Sequence, residues 1–365
     1  MNRRVFLQGG LAATVGRPLL AALRQDRLDE AADVLAKATA KGTVAAAVLH
    51  VTQGKITFTR TFGTARSADA MFLLGSITKP MCVTALMTLF DRGEFGLDDL
   101  VKKYLPKFTG DGRDQVTMRH LLTHVSGLPD QLPENNDLRQ KHAGLLEFVE
   151  GAMQTPLSFA PGSRYQYSSM AILLATRVAE LISGVGILEL VDRTVIQPLG
   201  LKHTVLGLGK FKLAEMVPVQ TEFAAPEAGA GDPSAKDWDW NSPYWRKLGA
   251  PLGGMNASAP DLTQYMSEFL LAKGAVVKPA TAKLMLTNHN GSGLTPRGLG
   301  FGVGARAGSP GCSDKTFGHT GSTGTITWAD PASDTICVVL TSLPGRAVQP
   351  HPRELAATRV AAAMS

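Results

Sequence analysis

The sequence has few cysteines, no long hydrophobic run and no cluster of basic residues. Three cysteines among 365 residues (Cys82, Cys312 and Cys337) cannot form a disulfide framework, and their spacing matches no zinc-binding pattern. Cys312 and Cys337 could pair in an oxidising compartment or remain two partly buried thiols. Apolar runs stay shorter than the roughly 18 residues that a membrane helix requires, so no transmembrane span is predicted. Because Lys and Arg are scattered without interleaved aromatic residues, nucleic-acid binding is not favoured.

The composition provides enough apolar sequence for a large folded core. Hydrophobic residues make up 44% of the chain and charged residues 19%, which excludes wholesale disorder. The chain has 37 basic and 31 acidic residues, and this net charge of +6 gives at most a weak attraction to anionic polymers of the cell envelope. A length of 365 residues predicts two domains, or one large domain with an insertion.

The first residues resemble a twin-arginine export signal. Arg3 and Arg4 precede large apolar residues and a mildly apolar stretch over 9–15. We therefore expect residues 1–24 to be an export signal outside the fold, and the protein to be exported to the periplasm or cell envelope. A frayed basic N-terminus is the alternative, because Pro18 interrupts the apolar stretch and no Ala-x-Ala cleavage site follows.

Strand patterns occur near both ends of the chain, and helical patterns lie between them. The predicted strands span 43–52, 55–63, 299–306, 322–329 and 334–341. The predicted helices span 26–41, 76–92, 97–104, 118–123, 144–154, 169–183, 186–195, 260–272, 279–287 and 352–364. The order predicts an α/β (α+β) fold with one antiparallel sheet built from both chain termini and flanked by helices.

This arrangement also predicts how the chain is divided. We expect a sheet domain formed by 25–70 and 295–365, and a large, mostly helical insertion domain over 71–294. Within the insertion, 218–256 is rich in Pro, Gly and Ala and lacks a regular period, so it is predicted to be an irregular lid.

Ser76 and Lys79 lie three residues apart at the start of a predicted helix. At this spacing both side chains share one face, so the amine can reach the hydroxyl. A serine hydroxyl becomes a good nucleophile when a neighbouring base accepts its proton. A lysine can be that base when burial or nearby positive charge lowers its pKa from about 10.4. Such a pair also arises by chance in a chain of this length, so its sequence context decides.

Several segments follow this pair in a characteristic order. They are His120–Leu128 (HLLTHVSGL), Pro161–Ser169 (PGSRYQYSS), Gly253–Met255 (GGM) and Phe317–Gly324 (FGHTGSTG). Together they resemble the serine β-lactamase and penicillin-binding-protein superfamily, in particular class C β-lactamase-like esterases and D-Ala-D-Ala carboxypeptidases. The resemblance covers the chain from about residue 26 to its end. It implies the β-lactamase/transpeptidase-like fold, no cofactor, no metal, and a small-molecule ester, amide or lactam substrate.

The resemblance assigns catalytic roles to individual residues. Ser76 would be the acylated nucleophile and Lys79 its base partner. Tyr167 corresponds to the tyrosine of a Tyr-x-Asn motif and would shuttle protons, while His319 could assist the deacylating water. The backbone N–H groups of Ser76 and Ser322 would form the oxyanion hole.

Two positions depart from the family pattern, and both concern substrate binding. His319, with Thr320 and Gly321, occupies the place of a Lys-Thr-Gly strand, so a fixed positive charge is replaced by a group that ordinarily titrates near 6.5. Ser169 stands where the third-position Asn would be, which removes a long amide that can bond to a substrate amide. Both changes weaken recognition of an anionic acyl-amide without impairing attack on a neutral ester.

These departures favour an esterase acting through an acyl-enzyme intermediate. The alternatives in the same class are a D-Ala-D-Ala carboxypeptidase, a D-aminopeptidase or a β-lactamase. A catalytically silent, penicillin-binding-like sensor module is the alternative of another class. The presence of Ser76, Lys79 and Tyr167 together argues against a silent module, which needs none of them.

Three further features have competing interpretations. Four aromatic residues could line an acyl pocket or fasten the irregular segment to the body, namely Trp238, Trp240, Tyr244 and Trp245. His120 and His124 could share a metal, but the resemblance explains them as a structural turn. The alternating glycines of 298–304 are interpreted as a strand packed closely against a helix.

Overall fold

The computed structural model describes residues 23–364 of the chain. The predicted export signal at 1–24 therefore lies outside the described residues, apart from its last two positions, and stays a prediction.

Both ends of the chain contribute strands to one six-stranded antiparallel sheet, as predicted. The strands are β1 (Ala46–Gln53), β2 (Ile56–Gly63), β3 (Phe72–Leu73), β4 (Thr204–Leu206), β5 (Met255–Ala257), β6 (Gly302–Val303), β7 (Phe317–Gly321), β8 (Thr325–Asp330) and β9 (Thr335–Thr341). The order in the large sheet is β2-β1-β9-β8-β7-β6, and β3-β5-β4 form a separate small sheet.

Helices fill the sequence between these strands and flank the sheet. They are α1 (Gln25–Ala40), α2 (Thr78–Asp91), α3 (Met118–Leu122), α4 (Asn135–Gln140), α5 (Leu145–Gln154), α6 (Ser169–Ser183), α7 (Ile187–Val191), α8 (Gln197–Leu199), α9 (Pro243–Leu248), α10 (Ala259–Leu270), α11 (Pro279–Met285) and α12 (Pro352–Ala362). Within 23–364, no single helix is long and apolar enough to cross a membrane; only α6 with the following 187–199 segment reaches that length, as a pair bent by 82°.

The central strands are buried on both faces because each face is covered by helices. On β1, Leu49 points into the core shared with α1 and α12, while its neighbour Val48 points into the core shared with α2 and α10. Successive side chains of a strand alternate between faces, so burial on both faces requires a continuous apolar run. The two ends of the described range also meet, since the Arg24 amide donates to the Ala363 carbonyl at 3.0 Å.

Helix α2 is the centre of the larger core. Its residues from Thr78 to Leu89 are all buried, which explains why this segment is apolar on every side rather than amphipathic. Gly300 packs against it with φ +81°, and a Cβ there would lie 3.0 Å from Val83. The predicted close packing of the glycine-rich stretch against a helix therefore holds at this position. The division into sheet and insertion domains stays a prediction, because this core extends continuously from one to the other.

Two predicted elements are much shorter than expected. The predicted helix over 97–104 is only the 3₁₀ turn Val101–Lys103, because the Asp99 carboxylate accepts hydrogen bonds from the Gly96 amide and the Tyr104 hydroxyl and holds a non-helical loop. The predicted strand over 299–306 is reduced to β6, because Gly300 and Gly304 adopt positive φ on either side of it.

Other elements were not foreseen, chiefly within and beside the irregular segment. The small sheet of β3, β4 and β5 and the short helices α4 and α9 were missed, because strands of two or three residues show no period. The 218–256 segment folds as successive 3₁₀ turns followed by α9, and its three tryptophans are buried. All three cysteines are free thiols, so the possible Cys312–Cys337 pair is not formed.

The packing of α1 against the sheet generates a stability prediction. Leu35 is fully buried between α1, the sheet and α12, so Leu35→Ala should leave a cavity and lower the free energy of unfolding by about 2–5 kcal/mol. Leu181→Ala removes the same atoms from a side chain that is 47% exposed and should change it by less than about 0.5 kcal/mol. Urea denaturation checks both, and equal effects would contradict the described packing.

Candidate active site

Ser76 and Lys79 are brought into contact at the N-terminal end of α2. Ser76 lies in the 3₁₀ turn Gly75–Ile77, and Lys79 follows in the first turn of the helix. The Lys79 amine donates to Ser76 Oγ at 2.9 Å and to the Leu252 carbonyl at 2.8 Å. Lys79 is 1% exposed, whereas Ser76 is half-buried and faces a cleft. The buried amine is thus held against an accessible hydroxyl.

Tyr167 reaches the same point from the segment that precedes α6. Its ring centroid lies 4.9 Å from Lys79 Nζ and 4.5 Å from the His124 ring. Its hydroxyl is buried and has no hydrogen-bond partner in the described chain. Ser168, the next residue, accepts a bond from the Ala171 amide and starts α6, which fixes where the tyrosine leaves the backbone. The phenol therefore keeps one donor and its acceptor lone pairs unused among the described residues.

The two backbone segments of the predicted oxyanion hole lie side by side. A Cβ on Gly75 would lie 3.1 Å from the Ser322 amide nitrogen and 3.0 Å from Thr323 Oγ1, so this approach requires glycine. The Thr323 hydroxyl donates to the Leu73 carbonyl at 2.6 Å, and the Thr325 hydroxyl donates to the Leu74 carbonyl at 2.7 Å. These bonds attach the β7–β8 hairpin to the segment that leads into Ser76.

His319 lies on β7 as an uncharged side chain. Its Nδ1 is 2.7 Å from the Thr320 carbonyl and donates to it, so Nε2 accepts from Arg297 Nη2 at 3.4 Å. Burial, followed by the charge of Arg297, holds the pKa of His319 well below its usual 6.5. The imidazole is therefore neutral at neutral pH.

Arg297 is a member of the site that the sequence did not reveal. Its Nη2 also lies 3.0 Å from His124 Nε2, and its guanidinium carbon lies 5.7 Å from the centroid of the Tyr167 ring. It lines the same cleft as Ser76 and His319. The site therefore contains a fixed cation beside the position where the family pattern has a lysine. In the sequence Arg297 stands among several glycines, and this pattern does not indicate a contact with His319.

Two cavities meet at Ser76. The larger, of about 940 Å³, is lined by Thr320, Gly321 and Ser322 together with His319. The smaller, of about 160 Å³, includes Ser169 and Trp240 in its walls.

Only some of the aromatic candidates raised by the sequence lie in these walls. Trp238 and Tyr244 line neither cavity, and Trp238 packs at the Gly229 turn, whereas Trp240 and Trp245 line the smaller one. The His120 ring accepts from the Thr117 amide at 3.3 Å, while His124 faces the Arg297 guanidinium. Within 23–364 no group of three or more His, Cys, Asp or Glu residues is arranged to hold a metal.

The sequence and the fold are similar to known proteins over most of the chain. A model of the Beta-lactamase family matches residues 28–362. A Salmonella enteritidis PT4 protein provisionally named D-alanyl-D-alanine carboxypeptidase is 28% identical over 318 residues, which cover 76% of this chain and 70% of that protein.

Solved structures share the fold. A penicillin-binding-protein homologue from Caulobacter crescentus has a TM-score of 0.74 at 20% identity and covers 95% of this chain and 100% of its own. EstCE1, a hydrolase with promiscuous acyltransferase activity, has a TM-score of 0.72 at 23% identity and covers 92% of this chain and 98% of its own.

The buried histidines generate a pH prediction. The pKa of His124, like that of His319, is held well below 6.5, mainly by burial. Both take up protons near pH 6.5 only when the chain unfolds, so stability is present above that pH and is lost as pH falls below it. The free energy of unfolding should fall between pH 6.5 and 5, each ring contributing up to about 1.4 kcal/mol per pH unit.

Denaturation of His319→Asn across this range checks the prediction. The variant should lose stability less steeply than the wild type, and the same change at the exposed His142 is the control. A slope in His319→Asn equal to the wild-type slope would contradict a buried neutral imidazole.

Proposed function

The chain belongs to the β-lactamase family of serine hydrolases, and we propose that it hydrolyses esters through an acyl-enzyme intermediate. The observation that supports this most directly is the 2.9 Å contact between the Lys79 amine and Ser76 Oγ at the floor of an open cleft. A hydroxyl held by a buried amine is the arrangement that nucleophilic catalysis requires.

Acylation follows from this geometry. Ser76 Oγ attacks the ester carbonyl carbon while the Lys79 amine accepts the hydroxyl proton. The negative charge on the tetrahedral oxygen is stabilised by the backbone N–H groups of Ser76 and Ser322, and one such donor is typically worth 10²–10³ in rate. The carbon–oxygen bond to the alcohol breaks, and the alcohol leaves with a proton from the Tyr167 hydroxyl, which Lys79 reprotonates.

Deacylation uses the same groups in reverse. Water attacks the Ser76 ester, Tyr167 and Lys79 take up its proton, and the proton returns to Ser76 Oγ as the acid is released. His319 can orient this water only as a neutral hydrogen-bonding group, because its imidazole is uncharged in the folded protein.

The preference for esters is argued from Ser169 and His319. Ser169 is buried, and its backbone amide donates to Asp130 Oδ1 at 2.8 Å. Because its side chain is a short hydroxyl, this position offers no long side-chain amide to a substrate amide. His319 carries no charge for a substrate carboxylate. A neutral ester needs neither contact.

A D-Ala-D-Ala carboxypeptidase is the second candidate, and Arg297 favours it. This guanidinium lines the large cleft beside His319 and could bind the carboxylate of a departing D-amino acid. The same charge would suit a D-aminopeptidase product or a β-lactam carboxylate. The Salmonella relative carries the carboxypeptidase name provisionally.

The acyl-enzyme predicts covalent labelling at one residue. A fluorophosphonate should add to the wild type and not to Ser76→Ala, and Lys79→Met should slow labelling by roughly 10²-fold or more because the base is lost. Mass spectrometry of the intact protein measures the adduct. Ser67→Ala, which removes an exposed hydroxyl, should label like the wild type. If neither a fluorophosphonate nor a penicillin reacts with the wild type, the silent sensor module becomes the better interpretation.

Comparison of substrates separates the two candidates. Short-chain aryl esters should be hydrolysed with a kcat/KM at least about 10-fold above that for cephalosporins or for release of D-Ala from a stem peptide, because neither Ser169 nor His319 supplies the contacts that those substrates use. Faster release of D-Ala would reverse this order. Loss of that release in Arg297→Gln would then identify the guanidinium as the carboxylate partner.

A further inference from the structure

A buried arginine with two unsatisfied side-chain nitrogens lies in the wall of the smaller cavity. Arg139, on α4, is 2% exposed, and its Nε and Nη1 are covered and unsatisfied. Its guanidinium carbon lies 3.7 Å from the centroid of the Trp245 ring, which supports one face of the group. The donors on Nε and Nη1 bind no acceptor in the part of the chain that the structure describes, and a guanidinium is suited to a planar anion.

The Arg139 guanidinium is charged and forms no ion pair with a described residue. Burial lowers its pKa to about 10, and the charges of Glu227 and, less strongly, Asp239 act in the opposite direction, so the group remains protonated at neutral pH. A buried cation with unsatisfied donors is costly unless an anion completes it. Its position therefore favours an anionic ligand.

The cavity also connects this cation to the nucleophile. Ser76, Lys79 and Ser169 line it together with Arg139 and Trp245, and its volume is about 160 Å³. A protein cavity of roughly 150 Å³ accommodates a benzene molecule, so this space suits an acyl chain of about six non-hydrogen atoms. The leaving group would occupy the much larger cleft on the other side of Ser76.

We propose that Arg139 binds a carboxylate at the far end of the substrate's acyl group, so that the preferred substrate is a monoester of a short dicarboxylic acid. This rests on the proposed acyl-enzyme function and names its substrate class. Trp240 and Trp245 line the cavity beside the methylene groups, and the terminal carboxylate accepts hydrogen bonds from the Arg139 guanidinium. Hydrolysis consumes one water and releases the diacid and the alcohol.

Glu227 is the competing partner for Arg139. It lines the same cavity and is half-buried, so its carboxylate could turn toward the guanidinium and exclude a substrate anion. Without such a pair it repels the substrate carboxylate, and Glu227→Gln should then increase the preference for anionic acyl groups several-fold. A decrease in that preference would indicate that Glu227 organises the guanidinium.

Kinetics with two matched esters tests the proposal. The 4-nitrophenyl esters of butyric acid and of glutaric acid share a leaving group, and the second adds a terminal carboxylate. The ratio of kcat/KM for the glutaryl over the butyryl ester should fall roughly 10- to 100-fold in Arg139→Met. Arg346→Met, which removes another cation that lines both cavities, should leave this ratio within about threefold of the wild type. A wild-type ratio in Arg139→Met, or a fall in Arg346→Met alone, would overturn the proposal.

A binding measurement separates this proposal from the catalytic one. In the Ser76→Ala background, calorimetry should detect binding of the glutaryl ester, and the added Arg139→Met should weaken it by a similar factor. If the glutaryl ester binds as expected but the wild type hydrolyses no ester, only the catalytic proposal is rejected. If the wild type hydrolyses esters but the glutaryl ester binds equally to Ser76→Ala with and without Arg139→Met, only the role of Arg139 is rejected. Thermal melting shows whether Arg139→Met is folded.

Discussion

The attachment of the β7–β8 hairpin to the segment before α2 is the constraint on which the site depends. Two threonine hydroxyls, from Thr323 and Thr325, bond to the carbonyls of Leu73 and Leu74, and Gly75 allows the backbones to touch. The hairpin comes from the C-terminal part of the chain and the helix from its N-terminal third. Without this contact Ser322 would not lie beside the backbone that leads into Ser76.

Around this contact the protein concentrates buried basic side chains. Lys79, Arg297 and Arg139 are all buried, and Tyr167 lies between the first two. The amine and the guanidiniums bond to neutral acceptors or to none, which leaves them available to anionic groups of a substrate or intermediate. Such an environment suits a reaction in which negative charge appears first on an oxyanion and then on a carboxylic acid product.

The sequence predicted the fold class and the helix order well, because long apolar periods and co-ordered motifs are global signals. The order of the motifs predicted that Ser76, Lys79, Tyr167 and His319 belong to one site, and the structure places these side chains close together. Arg297 and Arg139 escaped detection because a buried arginine looks like any other arginine until its surroundings are known. The helix predicted over 97–104 failed because Asp99 forms competing local bonds, which periodicity does not register.

The unequal sizes of the two cavities at Ser76 impose unequal limits on a substrate. In the proposed orientation the acyl group occupies the cavity of about 160 Å³ that Arg139 and Trp245 help to line, whereas the alcohol occupies the cleft of about 940 Å³. The smaller volume then limits the length of the acid more than the larger one limits the bulk of the alcohol. A family of compounds that differ widely in their alcohols but share one short acid would all present the same scissile bond to the serine.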